Sequence, residues 1–387
     1  MRWLSNVRLP GTEGFWRLSL DAEARIAAVH PLAPGSAASG ENWHGDRLSP
    51  AAVDLQINGG LGLAFPELTE ADLPTLLQLL DTLWADGVEA ISPTLVTCAT
   101  ADLRRALAVL QLARGQQRPE RCRLLGAHLE GPFLEHDRRG AHPAQHLAMP
   151  SPAALQERIA GFENEIALLT LAPELPGALE LTRQLAERGV VVCLGHSAAT
   201  EAQAEAGFEA GVRMLTHTFN AMAGLHHRQP GPVAAAALRG DIALGLIADG
   251  VHVAPAMAVL LQRLAPQQLV LVSDALAPYG LPDGTYRWDE RALIVEAGSC
   301  RLEDGTLAGV TLPLLEAVRR LARWSGDADG AIAAATLHPR RLLGDHRPIE
   351  ALLLGLPLAD TLRWSGTASD LQGHRTESTR KRNAPSE

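Results

Sequence analysis

From Ala52 onward, short apolar runs alternate with longer segments whose apolar positions recur at helical spacing. Val53-Asp54-Leu55-Gln56-Ile57-Asn58 precedes Leu73–Trp84, Ala90-Ile91-Ser92-Pro93-Thr94-Leu95 precedes Ala101–Ala113, and Ala167–Leu171 precedes Gly177–Arg188. Glu201–Ala210 precedes Val212–Thr216, Ile242–Ala248 precedes Ala256–Leu264, and Leu269–Ser273 closes the series. A run that is apolar throughout suits a parallel strand covered on both faces, and the helical segments supply the cover. Repetition of this unit about eight times predicts a (β/α)8 barrel of the TIM type. A doubly wound open sheet has the same periodicity and stays open on pattern alone.

The ends of the chain read differently. Residues 1–50 hold short alternating stretches such as Phe15-Trp16-Arg17-Leu18-Ser19-Leu20, broken by Gly and Pro, which predict one part of a small β-rich domain. The barrel is expected over 51–337, with Tyr286–Leu302 as a hairpin-like insertion and helices at Gly309–Trp324 and from Ala331. Residues 338–365 are expected to supply the second part of the small domain. Composition turns polar after Trp364, so 366–387 reads as a disordered tail.

Charge and composition remove several function classes. A net charge of −10 argues against nonspecific nucleic-acid binding, though a few local cations can still hold an anionic small molecule. No run approaches a membrane span, and the N-terminus does not begin a signal peptide. Cys98, Cys122, Cys193 and Cys300 are scattered, which fits free thiols in a reducing cytoplasm. Lys381 is the only lysine and lies in the polar tail. A Schiff base, a phosphate-loop lysine or a metal-bridging lysine carbamate is therefore unavailable in the folded part.

The chemistry gathers where apolar runs end. Leu124-Leu125-Gly126-Ala127 leads into Glu130, Val190–Leu194 into His196, Val212–Leu215 into His217, and Leu269–Val272 into Asp274. Strand C-termini carry the active site in barrels of this kind, and closure favours ligands dispersed in this way along the chain. Two imidazoles and a carboxylate make a catalytic type of metal site with a position left open. Asp274 then suits the general base and acid, since one carboxylate can take a proton from water and return it to a leaving amine. Ser197 and Ser273 lie outside any Gly-x-Ser-x-Gly elbow, which disfavours serine-hydrolase chemistry. Asn58-Gly59-Gly60-Leu61-Gly62 lacks the nucleotide-loop glycine order and reads as a turn.

His-Leu-Glu-Gly-Pro-Phe (128–133), Thr-Leu-Ala-Pro-Glu (170–174), Gly-His-Ser (195–197), His-Thr-Phe-Asn-Ala-Met (217–222), Ala-Asp-Gly-Val-His (248–252) and Ser-Asp-Ala (273–275) follow one another in order. From about Ala52 to about Leu314 the chain resembles the N-acetylglucosamine-6-phosphate deacetylase family of the amidohydrolase superfamily. The resemblance implies a barrel of the amidohydrolase kind and hydrolysis of N-acetylglucosamine 6-phosphate to glucosamine 6-phosphate and acetate, in amino-sugar catabolism or cell-wall recycling. It implies Glu130, His196 and His217 as metal ligands, Asp274 as catalytic residue, and substrate contacts from Ala141, His142, Asn220, Ala221, Arg228, His252, Leu307, Ala308 and Gly309. Arg228 and His252 are the expected phosphate partners. Asp249 is expected to hold its loop. Gln56 and Asn58 stand where many amidohydrolases carry His-x-His for a second metal, so one divalent ion per subunit is expected, zinc first, with iron and manganese compatible. A cytoplasmic homodimer is also implied, with no nucleic-acid or membrane partner. The rivals are a deacetylase of the galacto epimer, another amidohydrolase, and a catalytically silent barrel scaffold.

Overall fold

The computed structural model describes residues 2–33, 40–289 and 291–376. Strands β1 (Arg2–Val7), β2 (Phe15–Leu20), β3 (Ile26–Leu32) and β4 (Glu41–Asn42) form a sheet in the order β3-β2-β1-β4. Strand β5 (Arg47–Pro50) leads into the first barrel strand, β6 (Ala52–Ile57), followed by a short hairpin of β7 (Gly59–Gly60) and β8 (Leu63–Ala64). The barrel continues with β9 (Val88–Val96), beside which lies β10 (Arg123–Leu124), then β11 (Ala127–Glu130), β12 (Ile166–Leu171) and β13 (Val191–Leu194). It ends with β14 (Val212–Leu215), β15 (Ala243–Leu246) and β16 (Leu269–Leu271). All these pairings are parallel, in the order β6-β9-β11-β12-β13-β14-β15-β16.

The seam between β16 and β6 is closed just beyond the strand ends rather than by a regular ladder. Asp274 N–H donates to the Gln56 carbonyl at 2.9 Å, and Asn58 N–H donates to the Ala275 carbonyl at 2.7 Å. Ser273 N–H donates to the buried carboxylate of Asp54 at 3.2 Å, a side chain standing in for a backbone acceptor. Barrel closure thus rests on Asp54, Gln56, Asn58 and the Ser273–Ala275 segment.

Two apolar layers follow from the strand burial. Val53, Leu55, Ala90, Leu168, Cys193, Met214 and Val270 form one buried cluster drawn from six barrel strands. The other joins the strands to the helices: in Leu73–Ala85 the buried positions are Leu76, Leu79, Leu80 and Leu83, one face of a helix. That helix carries Pro74 in its first turn, where a missing N–H is no loss, and ends before Gly87 at φ +91°. Glu201–Ala210 starts on a reciprocal Thr200–Gln203 capping box.

After β16 the chain forms an antiparallel sheet of β17 (Gly284–Trp288), β18 (Arg291–Glu296), β19 (Ser299–Leu302) and β20 (Leu307–Val310). It extends the expected hairpin by two strands. The helix expected from Gly309 starts at Leu314 instead, because Leu307–Val310 pairs with β19 and Pro313 precedes the first turn. Strand β21 (Thr361–Ser365) pairs with β5 and with β22 (Gln372–Arg375). Part of the segment read as a disordered tail from 366 is therefore a strand, stabilised by ladder bonds to β21 that local polarity does not reveal. Residues 377–387 lie outside the described residues. Leu4, Leu18, Ile26 and Trp43 share a core with Ile349, Leu352 and Leu353, so both ends of the chain build one apolar unit. Among the described residues no helix is long and apolar enough to cross a membrane, and all four cysteines are unpaired.

Candidate metal centre and active site

Glu130 is the last residue of β11, and His196, His217 and Asp274 follow the ends of β13, β14 and β16. The backbone turns sharply there: φ is 49° at His196, 29° at His217 and 50° at Asp274. Non-glycine residues seldom adopt this region, and its use at three strand ends aims three functional side chains inward. Gly195 allows the strands to approach, since a Cβ there would stand 2.7 Å from Thr216 Cβ and 2.8 Å from Thr170 Cγ2.

Three donor atoms converge. Glu130 Oε1 lies 3.1 Å from His196 Nε2 and 2.9 Å from His217 Nε2, and the two Nε2 atoms are 3.0 Å apart. Ligands each about 2.1 Å from one ion stand about 3.0–3.4 Å from one another, so the spacing fits. His196 Nδ1 lies 2.9 Å from the Arg138 carbonyl, which accepts only from a protonated Nδ1. The Nε2 lone pair of that tautomer then faces the Glu130 carboxylate. A single proton cannot satisfy all three contacts; one divalent cation can. Burial alone would raise the Glu130 carboxyl, yet the His196 and His217 hydrogen bonds hold it well below the usual carboxylate range.

Proximity alone offers His142 as an alternative donor, since ligand atoms of Glu130, His142 and His196 lie within 4.8 Å of one another. Hydrogen bonding decides between them. Thr97 N–H donates to His142 Nδ1 at 3.3 Å, so that nitrogen is an acceptor and Nε2 carries the proton. Burial pushes His142 down to about 3, which keeps it neutral. His142 is therefore suited to donate a hydrogen bond beside the metal position, and His217 is the better third ligand.

Asp274 is 7 % exposed, and burial followed by the Glu130 charge pushes it up to about 6. Its Oδ1 accepts from Asn58 Nδ2 at 2.7 Å and from Gln56 Nε2 at 3.1 Å. Beneath the site, His128 bonds Thr94 at 3.2 Å and Thr170 at 2.7 Å, and Thr170 bonds Thr216 at 2.7 Å. This buried chain ties together β9, β11, β12 and the exit from β14.

The site opens into a cavity of about 980 Å³, which Glu130, His196, His217 and Asp274 share with Ala141, His142, Asn220, Ala221, His252, Leu307 and Ala308. His252 Nδ1 lies 2.7 Å from Asp249 Oδ2, and Asp249 also accepts from the Val251 and His252 amides, which makes it a loop-holding residue. Gly309 does not line the cavity; it is buried where a Cβ would meet the Asp274 carbonyl at 2.8 Å. Arg228 does not join the site within this chain: it is exposed and outside the cavity wall. Sequence reasoning missed Thr97, which orients His142, and Glu174, whose carboxylate accepts from Ser197 Oγ at 2.7 Å and steadies the loop after His196. Glu174 belongs to the quoted Thr-Leu-Ala-Pro-Glu motif, so its signal was present. Trp288, Arg291 and Thr306 reach the cavity from the antiparallel sheet, and no local pattern marks them.

No family model matches the chain. It is 37% identical to the N-acetylgalactosamine-6-phosphate deacetylase of Escherichia coli O157:H7, over 84% of each chain. It is 36% identical to the N-acetylglucosamine-6-phosphate deacetylase of Homo sapiens, covering 77% of this chain and 74% of that one. The chain belongs to the N-acetylglucosamine-6-phosphate deacetylase family. Within the amidohydrolase superfamily, it superposes on the N-acetyl-D-glucosamine-6-phosphate deacetylase of Mycobacterium smegmatis with TM-score 0.80 and 30% identity, over 96% of this chain and 100% of that one. The (β/α)8 barrel is the amidohydrolase barrel, and the protein is a metal-dependent amide hydrolase.

Proposed function

We propose that this enzyme removes acetate from N-acetylglucosamine 6-phosphate, using one divalent cation held by Glu130, His196 and His217. The observation that carries the reading is the triangle of Glu130 Oε1, His196 Nε2 and His217 Nε2, with Asp274 on the adjoining seam of the barrel. When bound, the cation supplies Lewis-acid polarisation of the acetyl oxygen and lowers the pKa of water. Asp274 takes the proton of the attacking water and delivers it to the sugar nitrogen as the C–N bond breaks. His142 donates its Nε2–H to the acetyl oxygen as negative charge develops there, its tautomer set by Thr97. His252, held by Asp249, receives the phosphate, and Asn220 and Ala221 with Leu307 and Ala308 line the sugar. Gly309 acts from beneath, keeping Leu307 and Ala308 close to Asp274. Arg228 reaches the phosphate of a neighbouring subunit in a homodimer, since its own cavity does not contain it. Two imidazoles and a carboxylate favour zinc, with iron and manganese as substitutes. A cytoplasmic location is part of this reading, and four free cysteines fit a reducing compartment.

The galacto epimer is the second reading, favoured by the 37% identity to the Escherichia coli O157:H7 protein named for it. Acetate release should be followed from both epimeric 6-phosphates and from unphosphorylated N-acetylglucosamine, with wild type and Asp274→Asn, while metal is counted. Turnover of the gluco phosphate above the other two, lost in Asp274→Asn with metal retained, is the expected result. Faster turnover of the galacto phosphate would replace the substrate and keep the chemistry. Bound metal without turnover of any of the three would discard the reading.

A further inference from the structure

Asn58 Nδ2 and Gln56 Nε2 donate to one and the same oxygen, Oδ1 of Asp274, at 2.7 and 3.1 Å. The Gln56 amide also stands 3.4 and 3.5 Å from the two Glu130 oxygens, so one NH2 group spans the base and a metal ligand. All four side chains are buried. The opposite ends of both amides, Gln56 Oε1 and Asn58 Oδ1, have no hydrogen-bond partner. Turning either amide round would set its oxygen against a carboxylate. The observed orientation therefore leaves two carbonyls unpaired in order to aim N–H groups at negative charge.

A carboxylate oxygen has two lone-pair directions, and both of those on Asp274 Oδ1 are taken. The donors cannot drift away from the base, because the same residues form the barrel seam: Asp274 N–H bonds the Gln56 carbonyl and Asn58 N–H bonds the Ala275 carbonyl. We propose that Gln56 and Asn58 are positioning residues that stand in for a second cation. They offset the repulsion between Glu130 and Asp274, hold Asp274 in one orientation, and assign proton transfer to Oδ2. In the reaction the water oxygen bonds the acetyl carbon and its proton rests on Oδ2. That proton moves to the sugar nitrogen as the C–N bond breaks, and Oδ1 keeps its two N–H bonds throughout.

This inference rests on the deacetylase reading, so its test carries a readout independent of turnover. Metal per chain is counted by mass spectrometry in wild type, Asn58→Ala and the Gln56→His/Asn58→His double variant after dialysis against zinc. Kinetics are measured for Asn58→Ala, Asp274→Asn and their combination. Expected are about one zinc in wild type and Asn58→Ala, and about two in the double variant, whose paired imidazoles would occupy the position of the amides. Asn58→Ala should lower kcat about 100-fold with KM for the sugar phosphate within about twofold, and should change kcat less than about twofold in the Asp274→Asn background. Two zinc ions in wild type, one in a folded double variant, or an undiminished Asn58→Ala effect without Asp274 would overturn the proposal. So would a rise in KM at unchanged kcat. Failure of wild type to release acetate from any sugar phosphate would instead sink the deacetylase reading. The proton route through Oδ2 would fall with it, and the zinc counts would decide the remaining part: one against two supports the amides as stand-ins for a second cation, and any other pair overturns it.

Discussion

Replacing Asp54 by asparagine should remove a pH dependence that the buried carboxylate builds into the fold. Burial pushes Asp54 up from 3.8 to about 7, against the hydrogen bonds that would lower it. Below 3.8 the group is protonated whether the chain is folded or not, and it costs the fold nothing. Between 3.8 and about 7 the folded protein binds the extra proton, so stability falls as pH rises, and above about 7 the loss is complete. At about 1.4 kcal/mol per pH unit, the full loss is about 4 kcal/mol. Asparagine cannot ionise, and its Oδ1 can still accept the Gln56 and Ser273 amides, each at 3.2 Å in the wild type. The stability of Asp54→Asn minus that of wild type should therefore climb with pH by up to about 4 kcal/mol between pH 4 and pH 8. Urea unfolding of both proteins at each pH, at fixed zinc, measures this difference, and protonation of the imidazole ligands cancels from it. A difference that stays flat, or that falls with pH, would refute the reasoning.

Three further outcomes are expected. Glu130→Gln should weaken metal affinity by more than about 100-fold, because an amide cannot balance a divalent charge between two imidazoles; equilibrium dialysis against zinc reads this. His142→Gln should keep its metal and lose about 100- to 1,000-fold in kcat, as expected on removal of a buried donor to a developing oxyanion; unchanged kcat would remove His142 from that role. Gly195→Ala should cost about 1–3 kcal/mol, since its new Cβ would meet Thr216 and Thr170 at less than 3 Å. Thermal unfolding with zinc titration should show that loss together with weaker metal binding, because His196 is the next residue.

Much of the barrel was legible because its signal is local. Ala52–Ile57 and Leu269–Leu271 are buried throughout, and Leu76, Leu79, Leu80 and Leu83 mark one helix face, so periodicity alone separates strand from helix. Glu130, His196, His217 and Asp274 were readable for a related reason: each ends an apolar run, and runs that end in a barrel end at the same rim. Strand β22 and the start of the helix at Leu314 were not readable in this way. Gln372–Arg375 is polar and becomes a strand only because Thr361–Ser365 lies beside it. Gly309 continues a helical pattern in sequence, but Leu307–Val310 is captured by β19.

By itself, then, the sequence determined the alternation of strands and helices, which carboxylate and imidazole side chains stand where the barrel strands end, and the absence of lysine from residues 1–380. Tertiary structure decided which nitrogen is free in His196 and in His142. The Arg138 carbonyl sets His196, and the Thr97 amide sets His142 and removes it as a ligand. It also decided that Arg228 stands outside its own cavity while Trp288 and Arg291 stand inside it, and that Gln56 and Asn58 point their N–H groups at Asp274. The physical reason is one of range. Backbone periodicity is set by near neighbours, whereas a tautomer, an amide orientation and a cavity wall depend on partners that meet only when distant segments pack together.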